Sequence, residues 1–187
     1  MSVRRATDAD VADVIHILAV GFMADPVSCW LFPDEADRAL RHEAFFRIFA
    51  DYAFAYGTVY RTDSAAALWL TIDPGAPDPP VPDGDLAAAV GPHLPRLGVL
   101  GALMSAEHPH DIAHAYLPFI AVLPEARNAG QGSALLAHHL GTLSTPAYLE
   151  ASSARSIPLY ERHGFVRQAP IQLPDGPVMQ PMWRPAG

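Results

Sequence analysis

The reading turns on residues 114–143, HAYLPFIAVLPEARNAGQGSALLAHHLGTL. Residues 115–123 form the apolar run of a buried strand, and 125–132 carry the glycines and asparagine of a turn. From there Leu135, Leu136, Leu140 and Leu143 make the stripe of an amphipathic helix. A strand that passes through Arg127-Asn128-Ala129-Gly130-Gln131-Gly132 into a helix builds a particular electrostatic site. The first N–H groups of the helix lack partners, and its dipole is positive at that end. Glycines let a ligand approach the backbone, so the turn suits a pyrophosphate, and Arg127 can add a charge-assisted bond. A phosphate loop of the Gly-Lys-Ser/Thr kind is excluded, because the turn holds no lysine. The dinucleotide pattern wants a third glycine where Leu135 stands, although Glu150 lies about 20 residues past Gly130, as a ribose-binding acid would. That fold opens with its strand–helix–strand unit, whereas this turn falls two-thirds of the way along the chain. A lone G-x-G also occurs in turns that bind nothing.

Downstream, PAYLEAS (146–152) reads as a strand, ARSIPLYERHG (154–164) as a short helix, and FVRQAPIQL (165–173) and PVMQPMW (177–183) as two final strands. Upstream, Thr7 and Asp10 resemble a capping box ahead of a helix over 8–23, with Val11, Val14, Ile15, Leu18 and Phe22 at helical spacing. ADPVSCWLFPD (24–34) reads as an apolar loop with two prolines. Residues 34–56 form a second helix, ended by Gly57. GTVYRTD and AAALWLTI are strands split at Asp63-Ser64. PGAPDPPVPDGD (74–85) is too rich in proline for regular structure, and 84–106 reads as one or two short helices interrupted around Pro92–Pro95. Residues 74–107 show no recognisable chemistry and could form a lid or plain packing. The order is α/β with antiparallel flanks around one strand–helix–strand unit, in a single domain spanning 1–187.

With 187 residues, the chain has room for one sizeable core. It is 50% hydrophobic and 17% charged, which excludes a disordered chain. A net charge of −8 argues against holding nucleic acid by bulk charge. One cysteine, Cys29, allows no internal disulfide and no cysteine-based zinc site. Acids stand where a secretory signal needs an apolar core, and the stretches 11–23 and 86–104 are broken by polar residues and prolines. These features predict a cytoplasmic protein that binds neither membrane nor nucleic acid.

The second half decides between the open readings. Arg-x-x-Gly-x-Gly after a strand, then Tyr148-Leu149-Glu150-Ala151-Ser152, a helix with Leu159-Tyr160, and Gly164-Phe165 resembles the GNAT superfamily of acetyl-CoA-dependent N-acetyltransferases. The wider layout is similar to that of the puromycin N-acetyltransferase group. The resemblance covers most of the chain and is strongest over 115–165. It implies a mixed, mostly antiparallel twisted sheet, helices on both faces and splayed central parallel strands. It implies acetyl-CoA as cosubstrate, with no metal. It assigns the pyrophosphate to the backbone of Arg127, Asn128, Ala129, Gly130, Gln131, Gly132 and Ser133. It assigns the thioester to the strand edge at Phe119, Ile120, Ala121 and Val122, where Pro118 removes a ladder donor. Ser153 stands where the family often has an asparagine that bonds the pantetheine arm, and a hydroxyl lacks the amide's paired donor and acceptor.

An amine of pKa near 10.4 is neutral about once in 2,500 at pH 7, a handicap of about 4.6 kcal/mol. A base therefore helps, and Glu150, on the strand beside the gap, is the candidate; a structural carboxylate bonded to neighbouring N–H groups is the other use of that position. Tyr160 matches the family's general acid for the leaving thiolate. The acceptor site is expected at Phe22, Asp25, Trp30, Phe32, Trp69, His114 and Tyr116, where aromatics and a carboxylate suit a cationic amine on an apolar body. His108, His110 and His114 could ligate metal only weakly without further ligands, and His114 is better placed for the acceptor or a proton path. The expected activity is acetyl transfer from acetyl-CoA to a primary amine of a small molecule, by direct attack in a ternary complex. A non-catalytic acyl-CoA-binding protein, or an acetylase of protein amines, remains the alternative. The last strands could pair across a homodimer.

Overall fold

The computed structural model describes residues 2–75 and 83–187. In chain order the elements are β1 (Arg4–Arg5), α1 (Val11–Gly21), α2 (Pro26–Leu31), α3 (Glu35–Tyr56), β2 (Thr58–Arg61), β3 (Ala65–Ile72), α4 (Asp83–Val90), α5 (Leu94–Glu107), β4 (His114–Val122), α6 (Gln131–Leu140), β5 (Ala147–Ala151), α7 (Ile157–Arg162), β6 (Val166–Arg167), β7 (Ile171–Gln172) and β8 (Val178–Arg184). The sheet runs β1-β2-β3-β4-β5-β8-β6, with β7 also paired to β8. Among the described residues β4 and β5 pair parallel and the other pairs are antiparallel.

The alternation of β3 shows why its sequence is continuously apolar. Ala66 and Leu68 pack with α1 and α3, around Val14, Leu18, Phe46 and Ala50. Ala65, Ala67 and Trp69 pack on the other face with Leu135 and Leu136 of α6. Side chains two apart share a face, and here both faces are covered, so Ala65, Ala66, Ala67, Leu68 and Trp69 are all buried. The same alternation on β4 and β5 sends Ala115, Leu117, Ala147, Leu149 and Ala151 to the α6 face. Tyr116, Tyr148 and Glu150 therefore turn to the opposite face.

The centre of the sheet is interrupted where expected. Trp69 of β3 faces two residues of β4, Leu117 and Pro118, because the register shifts between Leu68 opposite Phe119 and Leu70 opposite Tyr116. Proline contributes no ladder N–H, and the bulge bends the strand there. β4 pairs with β5 only at Ala115 with Ala147 and Tyr116 with Tyr148. Beyond Tyr116 the two parallel strands part, leaving a gap in the sheet.

Several elements differ from the sequence expectations. Residues 26–31, read as a loop, form α2, because the Asp25 side chain accepts from the Val27 and Ser28 N–H groups and Pro26 suits the first helical turn. FVRQAPIQL divides into β6 and β7, which pair with different parts of β8. β1 was not foreseen; two arginines carry no strand pattern. Asp10 accepts from the Thr7 N–H, as the capping box implies, and its buried carboxylate also joins Arg4 and Arg61. The Pro-rich stretch lies largely at 76–82, outside the described residues. The span Gly84–Glu107 is long and apolar enough, by length and composition, to cross a membrane. The turn at Gly91–His93 divides it, with Gly91 at φ +53°.

Candidate active site

The gap between β4 and β5 opens into a cleft of about 1270 Å³. One wall comes from the start of α6 and its preceding turn. Asn128 (φ 63°) and Gly130 (φ 76°) both take left-handed backbone conformations and re-aim the chain into the helix. The first intrahelical bond runs from the Ala134 N–H to the Gly130 carbonyl, so the N–H groups of Gln131, Gly132 and Ser133 lack helical partners. No atom lies within 4 Å of the place a Cβ at Gly130 would occupy, so this backbone is open to a ligand. A Cβ at Gly132 would sit 3.3 Å from Leu159 Cδ2, which ties the glycine to the packing of α6 on α7.

The side chains of this wall are largely fixed to protein. Arg127 donates to the Gly21 carbonyl at 2.8 Å and the Val122 carbonyl at 3.3 Å, so it fastens the turn to the end of α1. Gln131 accepts from the Thr62 hydroxyl and donates to the Ser64 hydroxyl at 2.5 Å. Ser133 Oγ is 2.8 Å from His163 Nε2. Ser153 Oγ accepts from the Arg155 N–H at 3.3 Å. Arg155 and Arg162 also line the cleft. Sequence reasoning missed both; as isolated arginines near a helix they carried no motif. With the free N–H groups they give this wall a positive character suited to phosphate groups.

Of the residues expected at the cosubstrate, Phe119, Ile120, Ala121, Val122, Arg127, Asn128, Gly130, Gln131, Gly132, Ser133 and Ser153 line the cleft. Ala129 is not among the cleft-lining residues.

Tyr160 lies on α7, at the cleft and 7% exposed. Burial pushes its phenol up to about 12, against the pull of a hydrogen bond with Ser156. It is therefore protonated throughout the neutral range and serves as a donor. Glu150 stands on β5, at the cleft, its side chain 2% exposed. Its Oε2 accepts from the Tyr116 hydroxyl at 2.9 Å, and among the described residues its Oε1 has no hydrogen-bond partner. Burial first, and then the Glu150 charge, push the Tyr116 and Tyr148 phenols well above their ordinary value.

The acceptor set divides. Phe22, Asp25 and Tyr116 line the cleft, with Phe45, Phe46, Phe49, Leu97, Leu100, Met104 and His108. Trp30, Phe32, Trp69 and His114 do not line it. Phe32 is fully buried between His42, Phe45 and His93. Trp69 points to the α6 face and stacks on His139 at 4.3 Å. The Trp30 indole donates to the Pro174 carbonyl at 2.9 Å, and the Arg96 guanidinium lies over its ring. His114 is 1% exposed and sits behind His108, with its Nε2 3.1 Å from His108 Nε2. Asp25 reaches the cleft but is engaged: besides capping α2, its Oδ2 accepts from the Ser152 hydroxyl at 2.5 Å. His108, at the end of α5, was visible in the sequence only as one of three histidines. Among the described residues no group of His, Cys, Asp and Glu is arranged to hold a metal ion.

Residues 96–167 match the Acetyltransferase (GNAT) domain family. Similar solved structures span the whole chain and identify the fold as that of the GNAT acetyltransferases. One is described as histone acetyltransferase HPA2 and related acetyltransferase from Corynebacterium glutamicum, with 28% identity over 100% of this chain and 96% of that one, at a TM-score of 0.74. Another is arylalkylamine N-acetyltransferase 2 from Aedes aegypti, with 12% identity, coverage of 100% and 99%, and a TM-score of 0.71. A third is the ribosomal-protein-S18-alanine N-acetyltransferase from Escherichia coli, with 20% identity, coverage of 100% and 94%, and a TM-score of 0.55.

Proposed function

We propose that this protein transfers the acetyl group of acetyl-CoA to a primary amine carried on a small apolar body. One observation carries the reading: the β4–β5 gap opens beside the free N–H groups of α6, with Glu150 on one side and Tyr160 on the other. Acetyl-CoA, when bound, supplies an activated acyl carbon and a thiolate leaving group. The Arg127–Ser133 backbone binds its phosphates. Alternate residues of Phe119–Val122 offer strand-edge N–H groups that β5 no longer pairs, and a fixed donor there steadies charge on the carbonyl oxygen. Tyr160 holds a proton at its hydroxyl, available to the departing sulfur. Glu150 places a buried negative charge where the amine arrives. The apolar side of the cleft, built from Phe22, Phe46, Phe49 and Met104, excludes water and favours an aliphatic or aromatic amine over an acidic one. The small-molecule acceptor is inferred from the resemblance of the sequence layout to the puromycin N-acetyltransferase group.

Calorimetric titration with acetyl-CoA, with NAD as control, tests the cosubstrate, and a panel of primary alkyl and arylalkyl amines tests the acceptor. Micromolar acetyl-CoA affinity, no NAD binding and turnover of apolar amines are expected. Tyr160→Phe lowers kcat by about 10²–10⁴-fold and leaves acetyl-CoA affinity within threefold. No acetyl-CoA binding would overturn the reading.

A further inference from the structure

With both histidines neutral, the polar chain behind Glu150 has one arrangement of its protons. The Ile112 carbonyl can only accept, and His114 Nδ1 lies 2.6 Å from it, so that nitrogen carries a hydrogen. Burial lowers the His114 pKa, which keeps the ring neutral and leaves its Nε2 a bare acceptor. His108 Nε2, 3.1 Å away, is then the donor. A neutral His108 consequently presents a bare Nδ1 towards Glu150 Oε1, at 3.8 Å. Among the described residues that Oε1 has no hydrogen-bond partner, while Oε2 is satisfied by Tyr116. Two acceptors thus face one another at 3.8 Å, with the Tyr148 hydroxyl beside the carboxylate as its other phenol donor. His108 lines the cleft, so an ammonium group there can donate to its bare Nδ1 while Glu150 lies behind it.

We propose that His108 Nδ1, with Glu150 as its partner, is the proton acceptor for the amine, and that His114 positions it by fixing its tautomer. This rests on the acetyl-transfer reading. His108 caps α5, where the helix C-terminus favours a cation. Glu150 Oε1 steadies the imidazolium once formed. The other titratable groups facing His108 are His110, His114, Tyr116 and Tyr148, with Glu107 next to it in the chain. The ammonium gives one proton to His108 Nδ1, and the freed lone pair forms the bond to the acyl carbon. The carbon–sulfur bond breaks with its electron pair going to sulfur, which takes the Tyr160 proton. The nitrogen loses a second proton as the amide forms, and this replaces the one Tyr160 gave. One proton remains on His108 and leaves to water, matching the net release of one proton per turnover.

The test uses the full chain, acetyl-CoA and the most active amine of the panel. The parent shows an acidic limb in its kcat/KM profile. His108→Gln lowers kcat/KM by 10²-fold or more at neutral pH, abolishes that limb and leaves acetyl-CoA affinity unchanged. Glu150→Gln raises the amine KM and shifts the limb without removing it. Nitrogen NMR on the unliganded protein shows hydrogens on His108 Nε2 and His114 Nδ1, and in His114→Phe the His108 signals move to tautomer-averaged values. An active parent whose His108→Gln variant keeps the acidic limb, or a His108 that carries its hydrogen on Nδ1, overturns the proposal alone. A parent that binds no acetyl-CoA overturns both this proposal and the transfer reading.

Discussion

Asp25 offers the sharpest separation of a structural role from a binding role. Its Oδ1 accepts from the N–H groups of Val27 at 2.9 Å and Ser28 at 3.2 Å, and its Oδ2 from the Ser152 hydroxyl at 2.5 Å. The carboxylate thereby caps α2 and ties it to the end of β5, across the mouth of the cleft. Asp25→Ala removes the cap, worth about 1 kcal/mol, and a charge-assisted bond worth about 1.5–3 kcal/mol. Relief of the buried charge returns part of this, so a net loss of about 2 kcal/mol is expected from these terms. At a urea slope of about 2 kcal/mol/M this moves the midpoint down by about 1 M. Asp25→Asn keeps an oxygen for the cap and an amide for Ser152, and its loss should stay below about 1 kcal/mol. Burial raises the Asp25 pKa despite its three donors. The folded protein then holds this proton more tightly than the unfolded chain does. The Asp25 contribution is full below the unfolded pKa, near 3.9, and declines as pH rises through the raised folded value. Asp25→Asn should lack that decline. The assays are urea unfolding across pH and steady-state kinetics with the best amine of the panel. A midpoint for Asp25→Ala within about 0.2 M of the parent refutes the capping argument. A tenfold rise in amine KM for a stably folded Asp25→Asn would make Asp25 the counter-charge of the ammonium instead.

Three further outcomes are expected. Gly130→Ala meets no neighbouring atom but must hold φ at +76°, so it should cost about 1–2 kcal/mol in denaturant unfolding and weaken acetyl-CoA binding in calorimetry. Leu135→Ala, at a fully buried position under the sheet, should cost about 3–5 kcal/mol by the same unfolding assay. His139, whose pKa burial lowers to about 4 with help from His138, takes up a proton on unfolding. Stability should therefore fall as pH drops from about 6.5 towards 4, and His139→Gln should flatten that slope in urea midpoints measured across the range.

Much of the architecture was legible because it depends on local pattern. The run 115–123, the Leu135-Leu136-Leu140 stripe and the glycines at 130 and 132 each announce their element through side-chain period and backbone freedom. The turn at 127–132 was visible as an anion site for the same reason: its chemistry is backbone N–H groups, which need only a strand, a glycine and a helix in succession. α2 was not legible, although its Asp25 cap and Pro26 are local, because six residues are too few to show a helical period among the prolines and aromatics of 24–34. The division of FVRQAPIQL depended on which part of β8 each half meets.

The acceptor end shows the same boundary. Composition marked Trp30, Phe32 and Trp69 as candidates because large aromatics suit both cores and pockets, and only the packing separates the two uses. The alternation of β3 puts Trp69 on the α6 face, whereas that of β4 and β5 turns Tyr116 and Glu150 to the cleft. Sequence alone determined the strand–turn–helix that builds the cosubstrate wall, since neighbours in the chain make it. Tertiary structure alone decided which histidine meets Glu150. That contact joins the end of α5 to the middle of β5, and no local period reports which long-range partners a buried charge will find.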